Sequence, residues 1–174
     1  MRRIRRFGLG LALAGALVAR VAQADQAQDM ADLQHFMLTE DYLAKYEAVQ
    51  DDAAADPCNL SPLMLLKGDG GSIDEMAKAY DAQPGVHAML ARHGLTAREN
   101  ILGTMTLMLA AFQELKETHP DMVTSKGPTP TINAANMAFY KSHKAALHEH
   151  AMALGKKQLE ANHGKLPACL SSGG

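Results

Sequence analysis

The sequence predicts an all-α protein, and three observations lead to that prediction. Alanine, leucine and methionine are abundant, aromatic residues make up 5% of the chain and tryptophan is absent, a composition that favours helices. Apolar residues recur at helical spacing over long stretches, and helix-capping sequences stand where these stretches begin. We therefore expect a single four-helix-bundle-like domain without strands, in which the first two helical regions are bent or broken.

The first 24 residues have the three parts of a secretory signal peptide. Arginines precede an uncharged apolar run over 7–19, and Ala22-Gln23-Ala24 has the small-x-small pattern that signal peptidase recognises. The run is shorter than the roughly 20 residues that span a bilayer. We predict a cleaved signal peptide (1–24), a periplasmic or secreted helical domain (25–174) with no transmembrane segment, and a C-terminal tail over about 165–174.

The charge of the exported part argues against two classes of partner. Loss of the signal peptide removes five arginines and leaves 12 basic against 19 acidic residues, a net charge of −7 with neutral histidine. Nucleic acids and anionic membrane surfaces are bound by basic proteins. The sequence therefore predicts neither of them as a partner.

The first helical region covers about 27–55, and its apolar stripe changes phase near Thr39. Thr39 is followed by two acidic residues, which is the sequence of a helix N-cap. We expect a bend or a restart of the helix there. In the loop that follows, we expect the apolar cluster 63–66 to form a turn of helix.

The second helical region begins at a capping box formed by Ser72 and Glu75 and is interrupted at Pro84. Proline is poorly tolerated inside a helix but fits its first turn. We therefore expect two short helices, 72–82 and 84–93.

Two longer helical regions follow. Thr96 and Glu99 form a second capping box, and we expect the helix that they open to be the most buried one and to end before Pro120. The fourth region covers about 134–154, with Asn133 as its cap. Gly155 is a stop signal, with a further turn or two possible to about residue 163.

Two cysteines, Cys58 and Cys169, are present in the chain. In an exported protein they are expected to form one intramolecular disulfide, which would join the C-terminal tail to the loop after the first helical region. The alternatives are two reduced thiols or an intermolecular bridge.

His143 and His150 share the apolar face of the fourth helix with Phe139. Seven residues separate the two histidines, roughly 10 Å along the axis, so they cannot both bind one ion from this helix alone. Each could supply one ligand to a site completed by other helices; the alternative is a partly buried histidine bonded to a carbonyl or carboxylate. We select His143, Tyr140 and Phe139 as candidate ligand-binding residues.

His148 and Met152 form an i, i+4 pair on the other face of this helix, a spacing that can hold copper. Lysines nearby favour an ordinary solvated face instead. Five further methionines occupy core-like positions, where the side chain fills gaps in packing: Met37, Met76, Met89, Met105 and Met108.

Haem is a second possible cofactor. The chain has no Cys-x-x-Cys-His sequence, which excludes covalently attached c-type haem. Non-covalent haem would need ligands such as His143 or His150 paired with Met30 or Met37.

Three segments resemble, in the same order, the motifs of an uncharacterised family of small exported bacterial helical proteins. They are FMLTEDYLAKYEAV (36–49), GLTARENILGTMTLMLAAF (94–112) and NAANMAFYKSHKAAL (133–147), against F-x-L-T…L-x-K-Y, G-L-T-x-R-E and N-x-A-N…F-x-x-x-H. The family often has proline where this chain has Ala134. The resemblance implies a helical fold and includes His143 in the pattern, but it supplies no activity, ligand or catalytic residue.

The chain contains no recognisable catalytic motif, so an enzyme is the less expected class. We expect a non-enzymatic binding protein of the cell envelope, with a small apolar ligand or an envelope protein as its partner. The bent helices would leave a groove for it around His143. The alternatives are a periplasmic haem- or copper-binding protein and, third, a hydrolase whose site assembles only in space.

Overall fold

The computed structural model describes residues 26–60, 71–122, 131–161 and 163–165. Every regular element in these ranges is helical, which confirms the predicted all-α class. The elements are α1 (26–35), α2 (Glu40–Ala55), α3 (Pro57–Leu60), α4 (Ile73–Asp81), α5 (Pro84–Arg92), α6 (Ala97–Thr118), a 3-10 turn (Pro120–Met122) and α7 (Ala134–Ala161). The signal peptide, the apolar cluster 63–66 and Cys169 lie outside the described residues.

The first helical region is two helices, as the sequence predicts. Residues 36–39 are not helical, and α2 restarts at Glu40. The Thr39 hydroxyl accepts a hydrogen bond from the backbone N–H of Tyr42 at 3.1 Å, which satisfies one of the donors left open at a helix start.

The second helical region is also divided as predicted. Ser72 and Glu75 form the full capping box at the start of α4, and Pro84 occupies the first turn of α5. After α5 the chain turns at Gly94, whose φ of +68° is in the left-handed region that glycine adopts without strain.

The start of α7 is as predicted, and its end agrees with one of the two predicted alternatives. The Asn133 side chain accepts from the backbone N–H of Asn136 at 2.8 Å and caps the helix. The helix does not stop at Gly155 but continues to Ala161, in agreement with the predicted extension to about residue 163. A glycine inside a helix lowers the stability of the helix by only about 1 kcal/mol relative to alanine. The turn after the helix is at Gly164, which has a positive φ and whose backbone N–H bonds the Leu159 carbonyl.

The core lies where α2, α4, α5 and α6 meet, and among the described helices α6 has the most buried residues, as predicted. Met89 is fully buried, and Met76 and Met105 pack against the core from partly exposed positions. The prediction was wrong for Met37 and Met108, which are 51% and 60% exposed. Met37 lies in the non-helical link after α1, so helical spacing did not apply to it; Met108 lies on the outer side of α6.

The last helix, α7, packs against two other helices, antiparallel to one and parallel to the other. Lys141 and Lys144 pair with Glu117 and Glu114, so α7 runs antiparallel to α6. His143 pairs with Glu40 and Lys157 with Asp51, so α7 runs in the same direction as α2. No helix among the described residues is both long and apolar enough to cross a bilayer.

Candidate functional site

The N-terminal half of α7 holds the link between α1 and α2 in place. The side chain of Asn136, which is fully buried, accepts from the Leu38 N–H at 2.8 Å and donates to the Phe36 carbonyl at 2.7 Å. Asn133 donates to the Gln34 carbonyl at 2.8 Å. Because residues 36–39 are not helical, their backbone groups need partners from elsewhere, and the two asparagines supply them.

His143 lies one helical turn further along and is half-buried. Its ring stacks on Phe139 with centroids 4.1 Å apart. Nδ1 is 2.9 Å from the Phe139 carbonyl oxygen, and Nε2 is 2.9 Å from Oε1 of Glu40, the first residue of α2. The Phe139 carbonyl oxygen and the Glu40 carboxylate oxygen are both hydrogen-bond acceptors. His143 therefore links α7 to the start of α2.

A serine lies beside this histidine, but the two are not arranged as a nucleophile and its base. The Ser142 hydroxyl donates to the Phe139 carbonyl at 2.8 Å and lies 3.0 Å from His143 Nδ1. A general base needs a ring nitrogen that is open to receive the hydroxyl proton. Here Nδ1 bonds the same carbonyl as the hydroxyl does, so the arrangement is that of a helix side chain bonding back to its own turn.

The other two residues selected with His143 are packed into the fold. Phe139 and Tyr140 are partly buried against the core. Burial raises the pKa of the Tyr140 hydroxyl, and the nearby Glu114 carboxylate raises it further, so the phenol stays protonated at neutral pH. These side chains contribute packing at the α2–α6–α7 junction.

The residues of α7 considered as metal or haem ligands differ in exposure and in contacts. His148 and Met152 are exposed, Met152 at 63%, and His143 Nε2 is within hydrogen-bond distance of Glu40. In the described part of the chain, no three histidine, cysteine, aspartate or glutamate side chains are close enough together to hold a metal ion. Haem bound through His143 would have to displace Glu40.

An open pocket of about 360 Å³ lies between α2 and the C-terminal half of α7. His150, the second histidine of the apolar stripe, is one of its lining residues. His143, Tyr140 and Phe139 are not among them. The lining comes from one residue of α2 and six of α7: Asp51, His150, Ala153, Leu154, Lys156, Lys157 and Glu160.

The polar groups of this pocket are loosely paired. Lys157 Nζ is 3.8 Å from Asp51 Oδ1, and Lys156 Nζ is 3.8 Å from Glu160 Oε1. Both separations exceed the length of a direct N–H···O hydrogen bond. Within the described residues, His150 Nε2 is buried without a hydrogen-bond partner, an arrangement that is uncommon in folded proteins.

The sequence identified His150 as a candidate site residue, but it did not identify the pocket that His150 lines. Lys156 and Lys157 follow a glycine, a residue that commonly ends a helix, and Asp51 is more than a hundred residues away in the chain. Asn136 was missed as well; the available signal was a second asparagine three residues after the helix cap, next to the apolar Met137.

Comparison with known proteins found no matching family model, no matching curated protein and no matching solved structure. The family resemblance carried by segments 36–49, 94–112 and 133–147 therefore stays a prediction. The structure brings the first and third segments together, since Asn136 bonds Phe36 and Leu38.

Proposed function

We propose that the protein is an exported, non-enzymatic binding protein of the cell envelope, and that it binds a small ligand in the pocket between α2 and the C-terminal half of α7. The observation that carries the proposal is this open pocket, lined by side chains whose hydrogen-bonding capacity is only partly used inside the fold. Ligand sites are typically concavities with an apolar surface and a few convergent polar groups, and this pocket has both.

The contacts of His143 and His93 favour a structural role for these histidines over a catalytic one. His143 bonds a backbone carbonyl and Glu40, and His93 bonds Asp52 at 2.5 Å. Acid–base catalysis needs a group that exchanges its proton with the substrate, whereas these two rings join one helix to another. The predicted signal peptide supports the location in the envelope.

Export and cleavage are tested by expressing the full chain and measuring the mass of the protein in the periplasmic fraction. We expect a product that lacks residues 1–24 and begins at Asp25. A full-length product that stays with the cytoplasmic fraction would contradict the location.

Binding is tested by nuclear magnetic resonance on the exported protein labelled with ¹⁵N. Addition of the low-molecular-mass fraction of a periplasmic extract should shift backbone amides of residues 150–160 and of the end of α2. The variant Lys157→Glu should lose these shifts, and the matched variant Lys141→Glu, a charge reversal at the other end of α7, should keep them. An extract that leaves the pocket amides unchanged overturns the proposal.

A further inference from the structure

The charged groups of the α2–α7 pocket indicate the class of ligand, an inference that rests on the proposed binding function. Two lysines and two carboxylates line it, so their formal charges cancel: Asp51, Lys156, Lys157 and Glu160. A simple anion would be attracted by the lysines but repelled by the carboxylates and by the acidic exported protein as a whole. A simple cation would face the two lysines.

We infer that the pocket binds a small zwitterion, a molecule carrying both an ammonium and a carboxylate group, such as a free amino acid or a short peptide. Its carboxylate would lie toward Lys156 and Lys157, and its ammonium toward Asp51 and Glu160. Each end then meets the opposite charge, and the net charge of the protein does not oppose binding.

The internal ion pairs are weak enough for a ligand to replace. Lys157 and Asp51 have side chains 74% and 50% exposed, and their charged atoms are 3.8 Å apart. Exposed pairs of this kind contribute little to stability. Each lysine therefore keeps donors for a ligand carboxylate, and each carboxylate keeps acceptors for an ammonium group.

The uncharged part of the lining suits the remainder of such a ligand. Ala153 and Leu154 give the pocket an apolar surface on which an aliphatic side chain would pack. His150 is beside them with Nε2 unpartnered, and a turn of the ring toward the ligand would give this nitrogen its missing hydrogen bond. The pocket volume is at the lower end of the range of about 300–1,000 Å³ that holds small ligands.

The test compares one zwitterion with its two halves. Three compounds are titrated separately into the ¹⁵N-labelled exported protein. They are L-leucine, 3-methylbutylamine, which lacks the carboxylate, and 4-methylpentanoate, which lacks the amine. We expect L-leucine to shift the pocket amides and each half-molecule to bind roughly tenfold more weakly or worse. The dipeptide Ala-Leu, measured in parallel, distinguishes a peptide ligand from a free amino acid.

Paired variants test the two kinds of charge in the pocket. Lys156→Gln/Lys157→Gln should weaken binding of the zwitterion but not that of the amine, which the lysines repel. Asp51→Asn/Glu160→Gln should also weaken binding of the zwitterion but not that of the acid, which the carboxylates repel. Lys141→Gln, whose lysine pairs with Glu117 at the far end of α7, is the matched control and should bind as the wild type does.

The outcomes separate this inference from the proposed function. If the periplasmic extract shifts the pocket amides but L-leucine and Ala-Leu do not, the ligand class is wrong and the binding function stands. If the extract also has no effect, both are overturned. Equal affinity for leucine and its two halves would overturn the zwitterion class as well.

Discussion

At the scale of single residues, the ring of Tyr42 in α2 lies directly against Gly103 in α6. A Cβ atom built on Gly103 would overlap the ring and the hydroxyl of Tyr42. Tyr42 is buried, with Phe36 edge-on at 5.3 Å and Tyr46 stacked at 6.1 Å between ring centroids. Burial also raises the pKa of its hydroxyl well above the ordinary value. The absent side chain at Gly103 therefore makes room for the aromatic centre of the core.

We predict that Gly103→Ala destabilises the protein, although alanine is the better helix former. The added methyl group meets a buried aromatic ring, and overpacking of this kind costs about 1–3 kcal/mol. Urea unfolding followed by circular dichroism measures the change. The matched control is Gly155→Ala in α7. Among the described residues, apart from the adjacent residues and the local helix backbone, no atom lies within 4 Å of the added Cβ, and a gain of about 0.5–1 kcal/mol is expected. A stabilised Gly103→Ala protein would contradict the packing described here.

Asn136→Ala should be among the most destabilising single substitutions in α7. Removal of the side chain leaves the Leu38 N–H without its partner and leaves the Phe36 carbonyl with only the longer bond from Asn133, at 3.3 Å. Each unsatisfied buried group costs about 1–3 kcal/mol. Thermal and urea unfolding measure the loss, with Asn59→Ala as control, because Asn59 is exposed and its side chain bonds Asp56, three residues earlier in the chain. Similar small effects for both variants would show that Asn136 does not hold the link.

At the scale of elements, α2 is hydrogen-bonded near both ends to histidines from other parts of the chain. His143 of α7 bonds Glu40 at its start. His93, which follows α5, bonds Asp52 in its last turn, and Arg92 pairs with the same carboxylate at 3.0 Å. These polar contacts orient α2 against α5 and α7, while Val49 and Ala53 bury its apolar side.

For His143→Ala we expect a modest loss of stability, about 1–2 kcal/mol, from the contact with Glu40 of α2 and the stacking on Phe139. The proposed binding in the α2–α7 pocket should remain. His148→Ala is the matched control, since His148 is exposed on the same helix. Unfolding curves and the leucine titration together decide the role: loss of binding without loss of stability would make His143 a ligand-contacting residue.

The contact between α2 and α5 should make stability depend on acid pH. The hydrogen bond from His93 holds the pKa of Asp52 below its ordinary value of 3.8, and the Arg92 charge also lowers it. A carboxylate with a lowered pKa stabilises the folded state at pH values above the ordinary value. This contribution is lost as the pH falls from the ordinary value through the folded pKa.

We therefore expect Asp52→Asn to be less stable than the wild type at neutral pH and the difference to shrink below about pH 4. Urea unfolding at a series of pH values measures it. Glu149→Gln changes the net charge by the same amount at an exposed position of α7 and controls for general charge effects. A difference that stays constant across this pH range would exclude Asp52 as the source.

At the scale of the whole molecule, the predicted disulfide would connect α3 to the C-terminal tail. Cys58 lies in α3, and Cys169 lies outside the described residues. A bridge that closes a loop of this length would contribute about 4–5 kcal/mol in the chain-entropy treatment. We predict that thiol titration of the exported protein under denaturing, non-reducing conditions finds no free thiol.

Reduction, or the double substitution Cys58→Ser/Cys169→Ser, should then lower the melting temperature. The two treatments should have the same effect, and reductant should not change the double variant further. Detection of two thiols per chain before reduction would contradict the predicted bridge.

The sequence by itself determined the helical class, the divisions at Thr39 and Pro84 and the starts of the helices that follow. These depend on caps, proline and apolar spacing, which act within a few residues of one another. It also identified the half-buried stripe of α7 that contains His143 and His150, because helical periodicity alone defines a face.

Only the tertiary structure decided which residues meet. Asn136 and Leu38 are 98 positions apart, and Lys157 and Asp51 are farther apart still. The end of α7 was likewise not decided by the local sequence, since the helix continues through Gly155 although glycine commonly ends a helix. The physical reason is that side-chain contacts between distant segments depend on how the helices pack, and no local pattern in the chain encodes that arrangement.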